Sequence, residues 1–250
     1  MSREGKDVSI VLPVCNEARN LEIICESIIA ILGKLSLAYE IIFVEGGSSD
    51  GSLELLSNLK NKFSQLVIIE LKKRYGQSIA LCTGIYFSKG DIVITMDSDL
   101  QDAPQDLPKF IKETKKGYDI VCGWRRIRKD PGKARIYVSK IGNKILSKLS
   151  GIRVHDFTCT FKSYTREAAK RICLKLRPGL HRFIPLLARD LGLSICEIEI
   201  DHRRRTYGRS KYSLLKVFKA LTDYLVLRMH SGLVRDVSEK KILGYIKAIK

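Results

Sequence analysis

The chain has 250 residues, 45% of them hydrophobic, and a formal net charge of +18. That length and composition suit one folded domain with a packed core and exclude a disordered or low-complexity chain. The charge is uneven, with 10 Lys/Arg against 13 Asp/Glu in residues 1–100 and 35 against 14 in residues 101–250, so the second part is expected to meet an anionic partner.

Apolar, β-branched runs predict strands over residues 8–12, 40–44, 66–71 and 91–96, with helices over 18–32, 52–62 and 77–88 between them. A fifth unit follows, with a helix over 106–116 and a strand over 119–123. Repeated β-α units of this length predict a mostly parallel sheet with helices on both faces. The rhythm then breaks at a basic loop over 125–135. A long helix reaches about residue 150, with further helices near 166–173 and 182–191 and a strand over 195–200. A basic loop over 202–211 leads into an expected helix over 213–228. Its apolar residues at 214, 217, 218, 221, 224 and 225 and its lysines at 216 and 219 suit either an anionic bilayer surface or the protein's own core. Residues 229–250 read as a basic tail. The seven cysteines form no Cys-x-x-Cys pair, and Met1–Lys6 has no apolar signal core, which together set an expectation of a reducing cytoplasmic setting.

The most informative stretch is Ile92–Asp102, an apolar strand ending in Asp97 and Asp99, with Gln101 two residues on. Ligands of open α/β sheets bind at the C-terminal edge of the strands. Oxygen ligands at this spacing suit a divalent cation such as Mg²⁺ or Mn²⁺ carried on phosphates. An Asp-x-Asp also fits a strand end followed by an acidic helix cap. Three other loops lead to the same edge: Pro13-Val14-Cys15-Asn16-Glu17, Glu45-Gly46-Gly47-Ser48-Ser49-Asp50-Gly51 and Arg74-Tyr75-Gly76-Gln77. Asp50 equally suits a cap of the helix at residue 52.

Together these loops resemble the family 2 glycosyltransferases, whose GT-A (Rossmann-like) fold binds a nucleotide-sugar at this edge. Further on come Gly123-Trp124-Arg125-Arg126, Ser139-Lys140 with Asn143, His155-Asp156-Phe157-Thr158-Cys159-Thr160, His181-Arg182-Phe183-Ile184-Pro185, and Arg205 with Gly208, Ser210, Lys211 and Tyr212. In that order they are similar to the polyprenyl-phosphate branch of the family, which includes the dolichol-phosphate mannose synthases, over residues 8–228. The resemblance implies one GT-A domain over 1–228, with a nucleotide-sugar half (8–125), an acceptor half (126–212) and a terminal amphipathic helix (213–228).

It further implies that Asn16, Glu17 and Glu45 contact the nucleoside, with Pro13, Asp50, Gln77 and Ser98 in the same donor site. Asp97, Asp99 and Gln101 would hold Mg²⁺ or Mn²⁺ on the diphosphate. Arg125, Arg135 and Arg205, with Ser210 and Lys211, would bind the acceptor phosphate, and Asp156 would act as a base or a positioning group. The chain departs from the usual pattern at Glu45-Gly46, where relatives have two aspartates, and many relatives continue into transmembrane helices.

The implied activity is an inverting, metal-dependent transfer of a hexose from a GDP-mannose or UDP-glucose type of donor to a polyprenyl or dolichyl phosphate. The implied setting is peripheral, on the cytoplasmic face of a membrane, with a membrane-anchoring protein as a further possible partner. Two other readings are a family 2 enzyme using a glycan hydroxyl, which would need a carboxylate base, and a basic nucleic-acid-binding module. The latter has charge alone in its favour, and no nucleic-acid partner is expected.

Overall fold

A computed structural model describes residues 5–129, 133–204 and 236–250, without the side chains of 133–140 and 149. The first strands form where the sequence places its apolar runs: β1 (Lys6–Val14), β2 (Tyr39–Glu45), β3 (Leu66–Leu71) and β4 (Gly90–Thr95). Between them lie α1 (Ala18–Gly33), α2 (Ser52–Lys62) and α3 (Gln77–Phe87). A 3₁₀ turn over Pro104–Asp106 precedes α4 (Leu107–Lys115), then β5 (Ile120–Trp124) and α5 (Lys133–Ser150). The chain continues through β6 (Lys162–Thr165), α6 (Arg166–Lys175), a 3₁₀ turn over Leu180–Phe183, α7 (Ile184–Asp190) and β7 (Ile195–Glu199). It closes with α8 (Glu239–Gly244) and β8 (Ile246–Ile249).

All eight strands join one sheet in the order β7-β5-β6-β4-β1-β2-β3-β8. Alternate residues of each strand feed two cores, as the period-2 geometry of a strand requires. Val11, Val44 and Val93 pack under α3, α6 and α7, while Ile10, Phe43 and Ile94 pack under α1, α2 and α4. The close approach of α3 to the sheet needs Gly84, where an added Cβ would lie 2.3 Å from Val11 Cγ1. β1 runs parallel to both β2 and β4, in registers ending at Val14↔Glu45 and Val11↔Thr95. The chain leaves β1 toward β2 and β3, then returns to β4 on the other side. This reversal opens a crevice between the C-terminal ends of β1 and β4, where α/β sheets take their ligands.

Two strands depart from the sequence reading. β6 lies antiparallel between β4 and β5, in the registers Ile94↔Ser163 and Cys122↔Lys162. A strand from the expected acceptor half therefore sits inside the sheet, and the two halves contribute together to both cores. Its Lys-Ser-Tyr-Thr sequence has no apolar run to announce it. Its polar atoms are satisfied internally, with Ser163 Oγ 2.6 Å from Thr114 Oγ1.

The second is β8, which corrects the expected basic tail. Residues 236–250 fold back along the protein, and β8 pairs antiparallel with β3 at the sheet edge, opposite Ile69 and Glu70. Ile242 is buried, and Lys247 Nζ meets the largely buried Glu70 carboxylate at 2.6 Å. The lysines that suggested a solvated tail thus include a counter-ion for a carboxylate of the sheet. The helix expected over 213–228 lies outside the described residues.

Candidate active site at the ends of β1 and β4

The crevice is walled by the loops after β1, β2 and β4. Ser98 Oγ donates to the Pro13 carbonyl at 2.9 Å, and Met96 N–H to the Val11 carbonyl at 3.1 Å, tying the β1 and β4 ends together. Ser98 is buried and Pro13 partly buried, so Ser98 braces the wall through its hydroxyl. Asn16 takes the left-handed conformation (φ 56°). Its Oδ1 accepts from Ser49 N–H at 2.8 Å, while its own N–H donates to Ser48 Oγ at 2.9 Å. The β1 and β2 loops are thereby laced to each other. Glu17 joins the same lacing through its N–H to Ser52 Oγ at 3.1 Å, and its carboxylate accepts from Asn20 Nδ2 at 2.7 Å.

Glu45 is 3% exposed, and its Oε1 accepts from Ser48 N–H at 2.5 Å. It forms the floor of the glycine-rich turn, where a reach toward a nucleoside had been expected. Gly47 makes the turn possible at φ 80°, since a Cβ there would also meet Arg74 N at 3.3 Å. Asp50 accepts from Ala18 N–H (3.0 Å), Ser52 N–H (3.1 Å) and Ser52 Oγ (2.5 Å), serving the N-termini of both α1 and α2. Burial opposes its charge, yet these hydrogen bonds hold its carboxyl below the ordinary value. From a position just before the N-cap Gly51 of α2, Asp50 thus serves first-turn N–H groups of both helices as a capping side chain would.

On the far side of the crevice, Asp97, Asp99 and Asp102 crowd into one turn. Leu100 turns the chain through the left-handed region (φ 63°), and Asp99 Oδ1 accepts from Gln101 N–H at 3.1 Å. Burial, and then the Asp99 and Asp102 charges, push Asp97 up to about 8. Burial also pushes Asp102 up to about 6, against the pull of Arg125. Carboxylates so raised are ones that a divalent cation would relieve. Asp97, Asp99 and the Gln101 amide oxygen offer the hard donors that Mg²⁺ or Mn²⁺ takes. Among the described residues no group of three or more His, Cys, Asp or Glu side chains is placed to hold a metal ion by itself.

Gln77, at the start of α3, donates through Nε2 to Asp97 Oδ1 (2.8 Å) and Thr160 Oγ1 (3.2 Å). It bridges the acidic turn to the loop before β6. That loop also holds Arg125. Asp156 receives Arg125 Nε at 2.7 Å and Nη2 at 3.0 Å, and Nη2 also reaches Thr158 Oγ1 at 3.1 Å. Against its burial, the Arg125 guanidinium holds the Asp156 carboxyl far below the usual range. With both oxygens on Arg125, Asp156 stands where a positioning group would, orienting the guanidinium. Three of the five Arg125 donors are engaged among the described residues, leaving the pair on Nη1 for a ligand.

His155 stacks on Trp124 (ring centroids 4.2 Å apart, interplanar angle 17°), and its Nδ1 lies 2.6 Å from Glu197 Oε2, so it braces this rim. Lys129 N–H donates to His202 Nδ1 at 3.2 Å, and His202 pairs with Asp102 in an antiparallel bridge. The start of the basic segment thus lies directly against the acidic turn. Asp102, Thr160 and His202 were missed as site residues. Asp102 stood in the motif itself, whereas nothing local in sequence links it to residue 202. Of the other expected acceptor groups, Arg135 has its backbone in α5 and its side chain undescribed, and Arg205, Ser210 and Lys211 lie outside the described residues.

Known proteins share both the sequence and the fold. The chain is 36% identical over 220 residues to the undecaprenyl-phosphate 4-deoxy-4-formamido-L-arabinose transferase of Aeromonas hydrophila, covering 87% of this chain and 66% of that protein. It is 35% identical over 217 residues to the enzyme of the same name from Pseudomonas aeruginosa, covering 86% and 63%. The chain thus spans just under two thirds of the length of these relatives. Glucosyl-3-phosphoglycerate synthase from Mycobacterium tuberculosis, solved with Mn²⁺, UDP and glucosyl-3-phosphoglycerate, superposes with a TM-score of 0.65 at 20% identity, covering 91% of this chain and 80% of that one. That likeness assigns the GT-A type of α/β fold. Residues 9–173 match the model of glycosyl transferase family 2, and the chain belongs to that family.

Proposed function

We propose that the protein transfers a sugar from a nucleotide-sugar to a polyprenyl phosphate. The observation that carries this reading is the placement of a buried, Asp156-locked arginine beside a crowded acidic turn. Such a crevice suits two anions brought together: a nucleotide diphosphate at Asp97, Asp99 and Gln101, and an acceptor phosphate at Arg125 Nη1. The named substrate class of the 36%-identical relative, undecaprenyl phosphate, supports the same acceptor.

A phosphate monoester has a second pKa of about 6 and is mostly a dianion at neutral pH, so it needs no protein base. Its oxygen attacks the anomeric carbon while the bond to the nucleotide diphosphate breaks and the leaving oxygen keeps the electron pair. In-line attack inverts the anomeric configuration. Arg125 orients the nucleophile through its free Nη1 donors. Gln77 fixes Asp97, and the loops of Asn16, Glu17 and Gly47 wall the nucleotide. A bound Mg²⁺ or Mn²⁺ supplies charge neutralisation on the departing diphosphate. Both oxygens of Asp156 are taken up by Arg125, so this carboxylate is not offered as the base that a glycan-hydroxyl acceptor would require. Donors of the GDP-mannose and UDP-hexose type fit this scheme.

No helix among the described residues is long and apolar enough to cross a membrane. Ile127 (70% exposed), Ile141 and Ile145 stand out on the β5–α5 loop and α5, in a stretch that also carries Arg126, Arg128, Lys144 and Lys148. This mixture fits the surface of an anionic bilayer, which would bring the lipid phosphate to Arg125.

The direct test incubates purified protein with Mg²⁺ or Mn²⁺, a panel of nucleotide-sugars, and either a short-chain polyprenyl phosphate or a free glycan. Lipid-linked product with one donor is expected. Transfer to the glycan alone would overturn the reading.

A further inference from the structure

Lys162 lies in β6 in the middle of the sheet, in register with Thr95 of β4 and Cys122 of β5, and is 0% exposed. A buried ammonium is costly unless it is fully hydrogen-bonded. Among the described residues its partners are main-chain carbonyls of the loop just before it, Phe157 (3.4 Å) and Cys159. The loop therefore coils over the ammonium. Thr95 Oγ1 pins it a second time, donating to the Thr160 carbonyl at 2.7 Å.

Phe157 and Cys159 of this loop point into the cores, while Asp156, Thr158 and Thr160 reach into the crevice machinery. Asp156 and Thr158 hold Arg125, and Thr160 holds Gln77, which holds Asp97. Backbone anchors below and site contacts above make this loop the physical link between the acidic turn and the arginine. We infer that Lys162 is a positioning residue that fixes the spacing between the cation-holding carboxylates and the acceptor-binding guanidinium. It touches neither substrate. Its charge acts through the two carbonyls, which set where Asp156, Thr158 and Thr160 stand. The inference rests on the polyprenyl-phosphate reading of the site.

The test compares wild type, Lys162→Met and Lys162→Arg under conditions where circular dichroism shows each to be folded. Two quantities are measured: steady-state transfer to a short-chain polyprenyl phosphate, and calorimetric binding of UDP with Mn²⁺. Lys162→Met is expected to lower kcat/KM for the acceptor at least about thirtyfold. UDP–Mn²⁺ affinity should fall far less, by about threefold at most, because Asp99 and the β1 and β2 loops do not hang on the 156–160 loop and Asp97 meets it only through Gln77. Lys162→Arg, which still offers cationic N–H donors to the carbonyls, should recover most of the loss.

Unchanged acceptor kinetics in folded Lys162→Met would overturn the inference, as would a folded arginine variant no better than the methionine one. If Lys162→Met does not fold, Lys162→Gln keeps a donor for the carbonyls, removes the charge and carries the same expectation. Wild-type protein that binds UDP–Mn²⁺ but transfers to no polyprenyl phosphate would instead defeat the functional reading. The two failures are thus distinct.

Discussion

On the side of the crevice that the proposed function makes the donor side, the loops after β1 and β2 are held by neutral or singly charged bonds, most of them from one loop to the other: Asn16 to Ser48 and Ser49, Glu17 to Ser52, and Asp50 to Ala18 and Ser52. On the opposite side, the Arg125–Asp156 ion pair and the buried Lys162 are tied to one short loop, the first through Asp156 and Thr158 and the second through the Phe157 and Cys159 carbonyls. Bonds of the first kind contribute about 1 kcal/mol each and can be remade around a ligand. Removing one member of a buried charge network strands its partners, at a cost of several kcal/mol. The β1–β2 wall is therefore built to adapt and the Arg125 wall to stay fixed; under the proposed function these are the donor and acceptor walls. Between them sits the acidic turn, where burial and the crowding of carboxylates raise Asp97 and Asp102 above the ordinary carboxylate range.

The largest effect is expected where the two sides meet. Asp99→Ala removes a buried hard ligand from the acidic turn. It should cut turnover by on the order of a thousandfold, the scale of losing a principal electrostatic contribution to the transition state. Far-UV circular dichroism should stay unchanged, and UDP should no longer show Mn²⁺-dependent binding. Metal-independent turnover in that variant would remove the acidic turn from the chemistry and leave the comparison without its centre.

Next comes the fixed wall itself. Asp156→Asn leaves the Arg125 guanidinium buried with a neutral partner and should cost about 3–5 kcal/mol of stability. In thermal melts this amounts to a fall in Tm on the order of 10 °C for a chain of this size. The folded fraction should show a raised acceptor KM and a nearly unchanged donor KM. A variant in which the donor KM alone rises would show that the arginine serves the wrong anion.

Much of this architecture was legible because the first five strands announce themselves by apolar runs and the helices between them by length. The donor loops then follow from where strands end, which is why Asn16, Glu17, Asp97 and Asp99 could be placed beforehand. β6 was not legible. Its residues are buried but polar, and what makes them tolerable is Thr114, Thr95 and the loop carbonyls, partners scattered in sequence. β8 was hidden by its lysines, since only the fold brings Lys247 to Glu70. The Arg125–Asp156 pair joins residues 31 apart, and no local pattern predicts which arginine in a basic segment finds a carboxylate. Glu45 shows that a motif does not tell how deep its residue sits: the fold buries it beneath the glycine-rich turn, where it accepts from Ser48 N–H.

A smaller effect separates the rigid region around α3 from the titrating groups of the crevice. His181 Nδ1 lies 2.7 Å from Ser78 Oγ in α3, and burial, then Arg182 and Lys162, push its pKa from 6.5 down to about 3. The unfolded chain takes up this proton near 6.5 and the folded chain does not. Stability is therefore complete above about pH 6.5 and falls as the pH drops toward 3, by at most about 1.4 kcal/mol per unit. Urea unfolding at pH 7 and pH 5 should show the wild type losing about 1–2 kcal/mol more than His181→Gln. Equal losses would mean that the ring is protonated in the folded protein.

The smallest effect tests how adaptable the donor wall is. Both carboxylate oxygens of Asp50 are already engaged, one by Ala18 N–H at the start of α1 and the other by Ser52 at the start of α2. Asp50→Ala should therefore behave as the loss of a cap and cost about 1 kcal/mol. Asp50→Ser, which restores one short acceptor, should recover part of it. Because Asn16 and Gly47 shape the adjoining loops without Asp50, the donor KM should move no more than about threefold in either variant, equivalent to about 0.7 kcal/mol. A thirtyfold rise in donor KM with little change in Tm would place the Asp50 carboxylate on the nucleotide. The β1–β2 wall would then be as preset as the acceptor side, and the contrast between the two walls would fail.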